Sequence, residues 1–509
     1  MMRLLDFLLS WPLLLLEILK MIRRLFATFI EQPIQGQTAE ILPSPKPLSG
    51  RQFSNVRLQS LSWLHGAAPC FPVRGDCITV IHDRRVFYET VLTKCASAKK
   101  RIILASLYLG IGQLETSLIS VLRENLRENK QLKINFLLDF TRGTRGQVNS
   151  RTTIMPLMEE SDNVSLSLYH TPALRGITKK LAPPRWNELL GLQHMKVYLF
   201  DNSVIISGAN LSNDYFTNRQ DRYIMIENKP LADFYAGLVN KVQEFSLQVS
   251  SKDAQPKLHK SWQHLPYEGT QSEFAQEARH RIFSYFSDVI ERQNSAMDLE
   301  KDADTWIFPV IEMGQLGIHH DSVVTKALFQ NSQPNSRIRM ATGYFNLTPE
   351  YMNSITDCQA ECAILMAHPN ANGFKGAKGP AGGIPDAYTL IARQFYEKLK
   401  AAKQDHRVSL FEYQQPGWTY HAKGLWYYLP NSSLPSMTLI GSSNFGERSV
   451  NRDLETQVCI VTENEDLQKR LEAECQNLYR LGSAAESEIT KREIPRWVRG
   501  VVSVFKNFF

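Results

Sequence analysis

The chain repeats itself at a period longer than any solenoid unit, and that duplication limits its fold more than any other feature. RIILASLYLG (101–110) aligns without a gap on RIRMATGYFN (337–346). Both are β-branched, apolar runs of strand length. His82-Asp83 precedes the first run and His320-Asp321 the second at nearly the same distance, with a helical stretch filling each interval. LKINFLLD (132–139) corresponds to ECAILMA (361–367), and each half closes with an apolar strand and a long amphipathic helix, at 230–249 and 464–481. Alternating strands and helices predict an α/β fold of two repeated lobes, each a mixed sheet flanked by helices, with a site at their pseudo-twofold interface. The expected lobes are 75–250 and 300–485, joined by a linker and connecting helix over 251–299.

Chemistry-bearing residues recur at matching places. The first half contains His194-Met195-Lys196 and the second His421-Ala422-Lys423. Residues two apart on a strand share a face, so each pair sends an imidazole and an ammonium to one side. His194 is followed by Asp201 at the end of its octapeptide, where the second copy has Tyr428. Asn210 follows His194 more closely than Asn444 follows His421; the difference equals the length of PNSSLPS (430–436), a longer hairpin tip. Asp221 then follows Asn210 at the same spacing by which Glu455 follows Asn444. One such pattern is a weak motif; two copies inside a larger repeat are not.

Two histidines, two lysines, two asparagines and two carboxylates brought together suit transfer at a phosphodiester. One imidazole attacks phosphorus and the other moves the proton of the departing and incoming oxygens. Lysines and asparagines stabilise the non-bridging oxygens, while Asp221 and Glu455 orient the imidazoles. The chemistry requires neither cofactor nor metal. The seven cysteines are odd in number and irregularly spaced, which predicts reduced thiols, and Cys358-x3-Cys362 lacks a second pair at zinc spacing.

These motifs resemble those of the phospholipase D superfamily, whose twin signature is H-x-K-x4-D followed by a G-x-x-N-like turn, and the likeness covers about residues 75–485. ASLYLG, DFTRGTRG, QHMKVYLFDNSVIISGANLSNDYFTNRQDRY, ANGFKGAKGP, IPDAYT and YHAKGLWYY are similar to its mitochondrial phosphatidyltransferases. The resemblance implies CDP-diacylglycerol as donor, glycerol 3-phosphate as acceptor, a covalent phosphohistidine, and a place in the mitochondrion at the inner membrane. A phosphatidylserine or cardiolipin synthase, a lipid hydrolase, a nuclease or an inactive lipid-binding scaffold are the alternatives. His194 is the expected nucleophile because its repeat keeps the complete signature, and His421 the acid/base; the reverse assignment remains open. Tyr428 limits the signature aspartate to Asp201.

Anionic substrates need cationic seats. Arg142 and Arg145 in TRGTRG, Arg175, Lys179, Lys180 and Arg185 before His194, and Lys375 and Lys378 in the Gly-rich run 371–383 are the candidates. The first group could instead be a solvated turn and the last a mobile lid. A formal charge of +7 over 509 residues is mild, compatible with anionic ligands or a membrane surface without calling for nucleic acid. With 43% hydrophobic residues the chain is globular rather than fibrous or disordered. Residues 1–30 are apolar but broken by Asp6, Pro12, Glu17 and Lys20, which fits an interfacial anchor or atypical targeting helix better than a clean span. A Pro-rich linker is expected up to residue 60. The C-terminal stretch 488–509, with Trp497, Arg496 and Arg499, is either an interfacial helix or one that closes the second lobe.

Overall fold

The computed structural model describes residues 52–176, 190–253, 255–295 and 302–505. Lys179, Lys180, Arg185 and the apolar N-terminal run lie outside them. The fold is α/β, built on two mixed sheets flanked by helices. In the first repeat, strand Arg101–Ala105 pairs parallel with Lys133–Asp139 and antiparallel with Val197–Phe200. In the second, Arg337–Thr342 pairs parallel with Glu361–Ala367 and antiparallel with Lys423–Tyr428. The two gap-free aligned segments thus occupy the same position at the centre of an eight-stranded and a ten-stranded sheet. Both central antiparallel strands, VYLF and KGLWYY, are buried along their whole length, as expected of strands covered on both faces.

Helix starts follow local chemistry. Asp83 caps Arg84–Ser97 by accepting from the N–H groups of Arg85 and Val86, Asn228 caps Lys229–Glu244, and Asn464 caps Glu465–Tyr479. Each lobe has its own outer core, and a third cluster combines Met195, Val197 and Ile206 of the first repeat with Trp426, Tyr428 and Ile440 of the second. The lobes therefore share a core and hold the residues between them rigidly.

Arg222 locks this junction. Its guanidinium donates to Glu474 Oε1 (2.9 Å) and Oε2 (2.8 Å), to Thr438 Oγ1 and to the Leu439 carbonyl, and lies 3.8 Å from the Trp426 ring centroid. Gly424, at φ +114°, makes room: a Cβ there would sit 2.5 Å from Arg222 Nη1.

One expected linker carries more structure than its composition suggested. The stretch expected to be linker up to residue 60 contributes Phe53 and Leu58 to the second lobe's core, and residues Val56–Gly66 form a 3-10 helix. Strand Phe71–Val73 joins the second sheet by pairing with Thr305–Met313, although it precedes the first repeat. The connecting helix expected within 251–299 is Gln271–Ser295, and it buries Phe274, Ala278, Ile282 and Phe286 in the shared core, so the connection between repeats is packed. Apolar residues at helical spacing pack both segments despite their polar look.

Candidate active site

Each His-x-Lys pair stands at the entrance to a central strand, Val197–Phe200 or Lys423–Tyr428, where the two repeats meet. The backbone secures them first. His194 N–H donates to the Leu454 carbonyl (2.9 Å), and His421 N–H donates to the Gln220 carbonyl (2.8 Å). Leu454 and Gln220 immediately precede Glu455 and Asp221, so each repeat's histidine is tethered to the carboxylate turn of the other.

The side chains repeat the exchange. His194 Nδ1 donates to Glu455 Oε1 at 2.9 Å, and His421 Nδ1 donates to Asp221 Oδ2 at 2.7 Å. A carboxylate accepting at Nδ1 fixes the tautomer and leaves the Nε2 lone pair for chemistry. The carboxylates are themselves positioned: Ser449 Oγ donates to Glu455 Oε1 (3.0 Å), and Arg222 N–H donates to Asp221 Oδ1 (2.9 Å).

All of these groups are buried. Desolvation, aided by nearby cations, pulls both imidazoles well below the usual histidine range, so they stay neutral and nucleophilic. Burial also lowers the ammonium of Lys196 to about 7 and that of Lys423 to about 8, while raising Asp221 to about 6 and Glu455 in the same direction. Lys196 Nζ donates to the His194 carbonyl (2.7 Å) and Lys423 Nζ to the His421 carbonyl (2.6 Å). Lys423 Nζ also lies 2.7 Å from His421 Nδ1 and 3.9 Å from Asp221 Oδ2. It reaches there past Gly208, where a Cβ would sit 2.9 Å from Lys423 Cδ. The charge of Lys196, and a proton placed on His194, would disfavour a proton on His421, and the charge of Lys423 does the same at His194, so the two half-sites share one electrostatic environment.

Asn210 Nδ2 donates to Tyr215 Oη (3.1 Å), which lies 3.5 Å from His421 Nε2. Asn444 receives Thr342 Oγ1 on its carbonyl, donates its N–H to Ser449 Oγ, and has a buried side-chain oxygen with no partner among the described residues. Among the described residues, His194, Asp453 and Glu455 bring ligand atoms within 4.8 Å of one another, a set that could hold a metal ion. Asp453 and Glu455 are already engaged there by Arg448, Leu192 and Ser449.

Asp201 departs from its expected catalytic place. It stands at the far end of the strand from His194, in a left-handed turn at φ +51°, and its carboxylate accepts from the backbone N–H groups of Lys99, Lys100 and Arg101. Partial burial would raise its pKa, but those bonds outweigh it, hold the pKa low and tie two strands together. Tyr428, at the matching position, donates instead to Glu472. Neither position points its polar group at the histidines.

The proposed cationic seats divide. Arg142 stacks 4.5 Å from the Tyr108 ring centroid, whose hydroxyl lies 3.1 Å from Ser212 Oγ. Arg145, Lys375 and Lys378 are exposed. Arg175 is committed elsewhere: its guanidinium donates to the carbonyls of Glu268 (2.7 Å) and Gly269 (2.6 Å), clamping the connecting segment rather than facing the histidines.

Sequence reasoning missed Tyr215, Arg219, Tyr344, Arg448, Ser449 and Asp453. Tyr344 could have been found, since it matches Tyr108 in the gap-free alignment of the two halves.

Comparison with known proteins places this arrangement. The chain is 44% identical over 477 residues to the mitochondrial CDP-diacylglycerol–glycerol-3-phosphate 3-phosphatidyltransferase of Homo sapiens, covering 88% of this chain and 85% of the relative. It is 43% identical over 481 residues to the Gallus gallus protein of the same name, covering 88% and 86%. The Saccharomyces cerevisiae CDP-diacylglycerol–glycerol-3-phosphate 3-phosphatidyltransferase is 33% identical over 490 residues, covering 91% and 92%. Among solved structures, phosphatidylserine synthase of Haemophilus influenzae superposes with a TM-score of 0.66 at 20% identity, over 89% of this chain and 97% of that one, a likeness of fold. No protein-family model matches the chain.

Proposed function

The chain belongs to the CDP-diacylglycerol–glycerol-3-phosphate 3-phosphatidyltransferase family and is an enzyme; from that premise we propose how its paired half-sites transfer a phosphatidyl group from CDP-diacylglycerol to glycerol 3-phosphate. His194 Nε2 attacks the phosphatidyl phosphorus, and the bond to the CMP oxygen breaks. A phosphohistidine remains. His421 then takes the proton of the glycerol hydroxyl as its oxygen attacks phosphorus, the P–N bond breaks, and phosphatidylglycerophosphate leaves.

Burial supports this division of labour. A neutral imidazole whose Nδ1–H is held by Glu455 presents its lone pair at Nε2 without prior deprotonation. CMP is a phosphate monoester with a second pKa of about 6, so it departs with little acid help, whereas the glycerol hydroxyl needs a base. Lys196 and Lys423 neutralise the non-bridging oxygens with Asn210 and Asn444 beside them, each preorganised donor being worth about 3 kcal/mol in the transition state. Asp221 and Glu455 act through the histidines as positioning residues.

The observation that carries this reading is the crossed pairing of His194 with Glu455 and His421 with Asp221, which draws both imidazoles to one junction. The deciding assay supplies CDP-diacylglycerol with labelled glycerol 3-phosphate, serine, phosphatidylglycerol or water in parallel. Phosphatidylglycerophosphate as the dominant product is expected; a dominant product from another acceptor overturns the assignment.

The relatives' names carry a mitochondrial location, which we extend to this chain at the inner membrane, where its lipid donor resides. No helix among the described residues is long and apolar enough to cross a membrane. Support for surface association comes from helix Arg496–Phe505, which buries Val498 and Val502 against the second lobe, turns Arg496 and Arg499 outward, and leaves Trp497 36% exposed with its ring edge against Gly383.

A further inference from the structure

The half-sites match in backbone and in their His–carboxylate pairs, but not in charge. Two residues before Asp221 stands Arg219; two residues before Glu455 stands Asp453. Because the carboxylate turns cross between repeats, Arg219 arrives beside His421 and Asp453 beside His194. The electrostatics register the inversion: Arg219 disfavours a proton on His421, whereas Asp453 favours one on His194. Asp453 is itself balanced, with Arg448 Nε 3.0 Å from its Oδ2 and Leu192 N–H donating to its Oδ1. Arg219 has a poorer match. Its ion-pair partner is Asp214 at 3.6 Å, a side chain 59% exposed, while Arg219 itself is only 16% exposed.

Arg219 is held in place. It pairs with Thr419 in a two-stranded bridge between the repeats, donates Nε to Thr419 Oγ1 (3.0 Å), and lies 4.7 Å from the Tyr215 ring centroid. Its Nη2 points toward the start of the Gly-rich run: a Cβ on Gly373 would sit 3.4 Å from Nη2 and 3.6 Å from Tyr344 Oη. A guanidinium and a phenol hydroxyl thus converge on one spot, which Gly373 leaves open. The rings of Tyr344 and Tyr215 have centroids 5.6 Å and 5.2 Å from that of His421.

We propose that Arg219 and the Tyr344 hydroxyl form a seat for a phosphate monoester on the His421 side of the scissile phosphorus. The proposal rests on the phosphatidyltransferase reading above and adds the determinant of acceptor charge. The departing CMP and the arriving glycerol 3-phosphate both use the face opposite His194, and both carry a phosphate monoester. A planar guanidinium fork matches two oxygens of such a group. A neutral polyol gains nothing from it, so the seat favours a phosphorylated acceptor.

The test uses the full chain with CDP-diacylglycerol in mixed micelles. It compares glycerol 3-phosphate with glycerol as acceptor, and measures label exchange between CMP and CDP-diacylglycerol without acceptor. Arg219→Gln should reduce the preference for glycerol 3-phosphate over glycerol, or raise KM for CMP in the exchange, by on the order of 10- to 100-fold, the size of a hydrogen bond to a charged group. Tyr344→Phe should act in the same direction by several-fold, and Arg219→Lys should fall between. A loss confined to glycerol 3-phosphate assigns the seat to the acceptor; a loss confined to exchange assigns it to CMP; both uphold it. Equal losses with glycerol and glycerol 3-phosphate, with KM for CMP unchanged, overturn it. Should thermal melting show Arg219→Gln unfolded, unchanged preference and exchange in Arg219→Lys and Tyr344→Phe overturn it equally. A wild-type chain that makes no product with any acceptor refutes the catalytic reading itself, whereas an active wild type with unaltered variants refutes only the seat.

Discussion

Glu455→Gln and Asp221→Asn should slow different halves of the reaction, although the two carboxylates are repeat mates. Glu455 accepts from His194 Nδ1 at 2.9 Å, and Asp221 from His421 Nδ1 at 2.7 Å. Each amide keeps the size of the carboxylate and one acceptor oxygen, but loses the charge that holds the Nδ1–H tautomer and stabilises positive charge on the ring. A hydrogen bond to a charged group is worth about 1.5–3 kcal/mol, and at about 1.4 kcal/mol per tenfold that is roughly 10- to 150-fold in rate. Glu455→Gln should impose this loss on the release of CMP, since His194 is then a poorer nucleophile. Asp221→Asn should leave the first CMP burst within a few-fold of wild type, because that leaving group needs little acid, and slow the consumption of the phosphoenzyme by glycerol 3-phosphate. Rapid-quench measurement of labelled CMP and labelled protein in one time course separates the steps. The labelled protein should accumulate in Asp221→Asn and remain scarce in Glu455→Gln. Equal slowing of both steps by both variants, or accumulation in Glu455→Gln, would refute the assignment of carboxylates to histidines.

The value of kcat/KM should fall as pH rises through about 7 to 8, since Lys196 and Lys423 have their ammonium pKa values lowered to about those figures and lose charge above them. A profile flat to pH 9 would contradict that role. On the acid side it should decline below about 6, where Asp221 is protonated and no longer orients His421 as an anion. Arg222→Ala strands Glu474 beside Trp426 and should cost about 3–5 kcal/mol in chemical denaturation, whereas Arg222→Met with Glu474→Leu should recover much of it. Asp201→Asn should lower stability by about 1 kcal/mol, the carboxylate being partly screened by water, and leave kcat unchanged in a steady-state assay, since Asp201 serves the backbone of residues 99–101. Replacing Arg496 and Arg499 by Glu should reduce flotation with anionic liposomes without altering the melting temperature, because both are exposed while Val498 and Val502 carry that helix's core contacts.

The duplication made the α/β architecture legible, because strands with period-two or continuous apolar patterns and their gap-free alignment report burial directly. The His-x-Lys pairs stood out by their repetition rather than by strand geometry, since His194, Lys196 and His421 precede the strands Val197–Phe200 and Lys423–Tyr428. The crossing was not legible. Asp221 pairs with His421 and Glu455 with His194, each across the whole length of a repeat, while the equal Asn-to-carboxylate spacing that revealed the carboxylates lies within each repeat and says nothing about partners across the junction. Motif spacing misplaces Asp201 because it fixes strand and face but not which end holds the chemistry. Seven residues at about 3.3 Å each carry it roughly 23 Å along an extended chain. Arg219 and Asp453 were visible as mates two residues before the carboxylates, yet their opposite charges acquire meaning only once the turns are seen to cross.

The central claim is that one phosphorus passes through a bond to a nitrogen of His194. Labelling of the Asp221→Asn chain with CDP-diacylglycerol carrying label in its phosphatidyl phosphate, quenched with detergent at alkaline pH, where a P–N bond survives, and followed by peptide mapping without acid, tests it directly. Label on the peptide containing His194, and its absence from that peptide in His194→Ala, is the predicted result; label on the peptide containing His421 would contradict it.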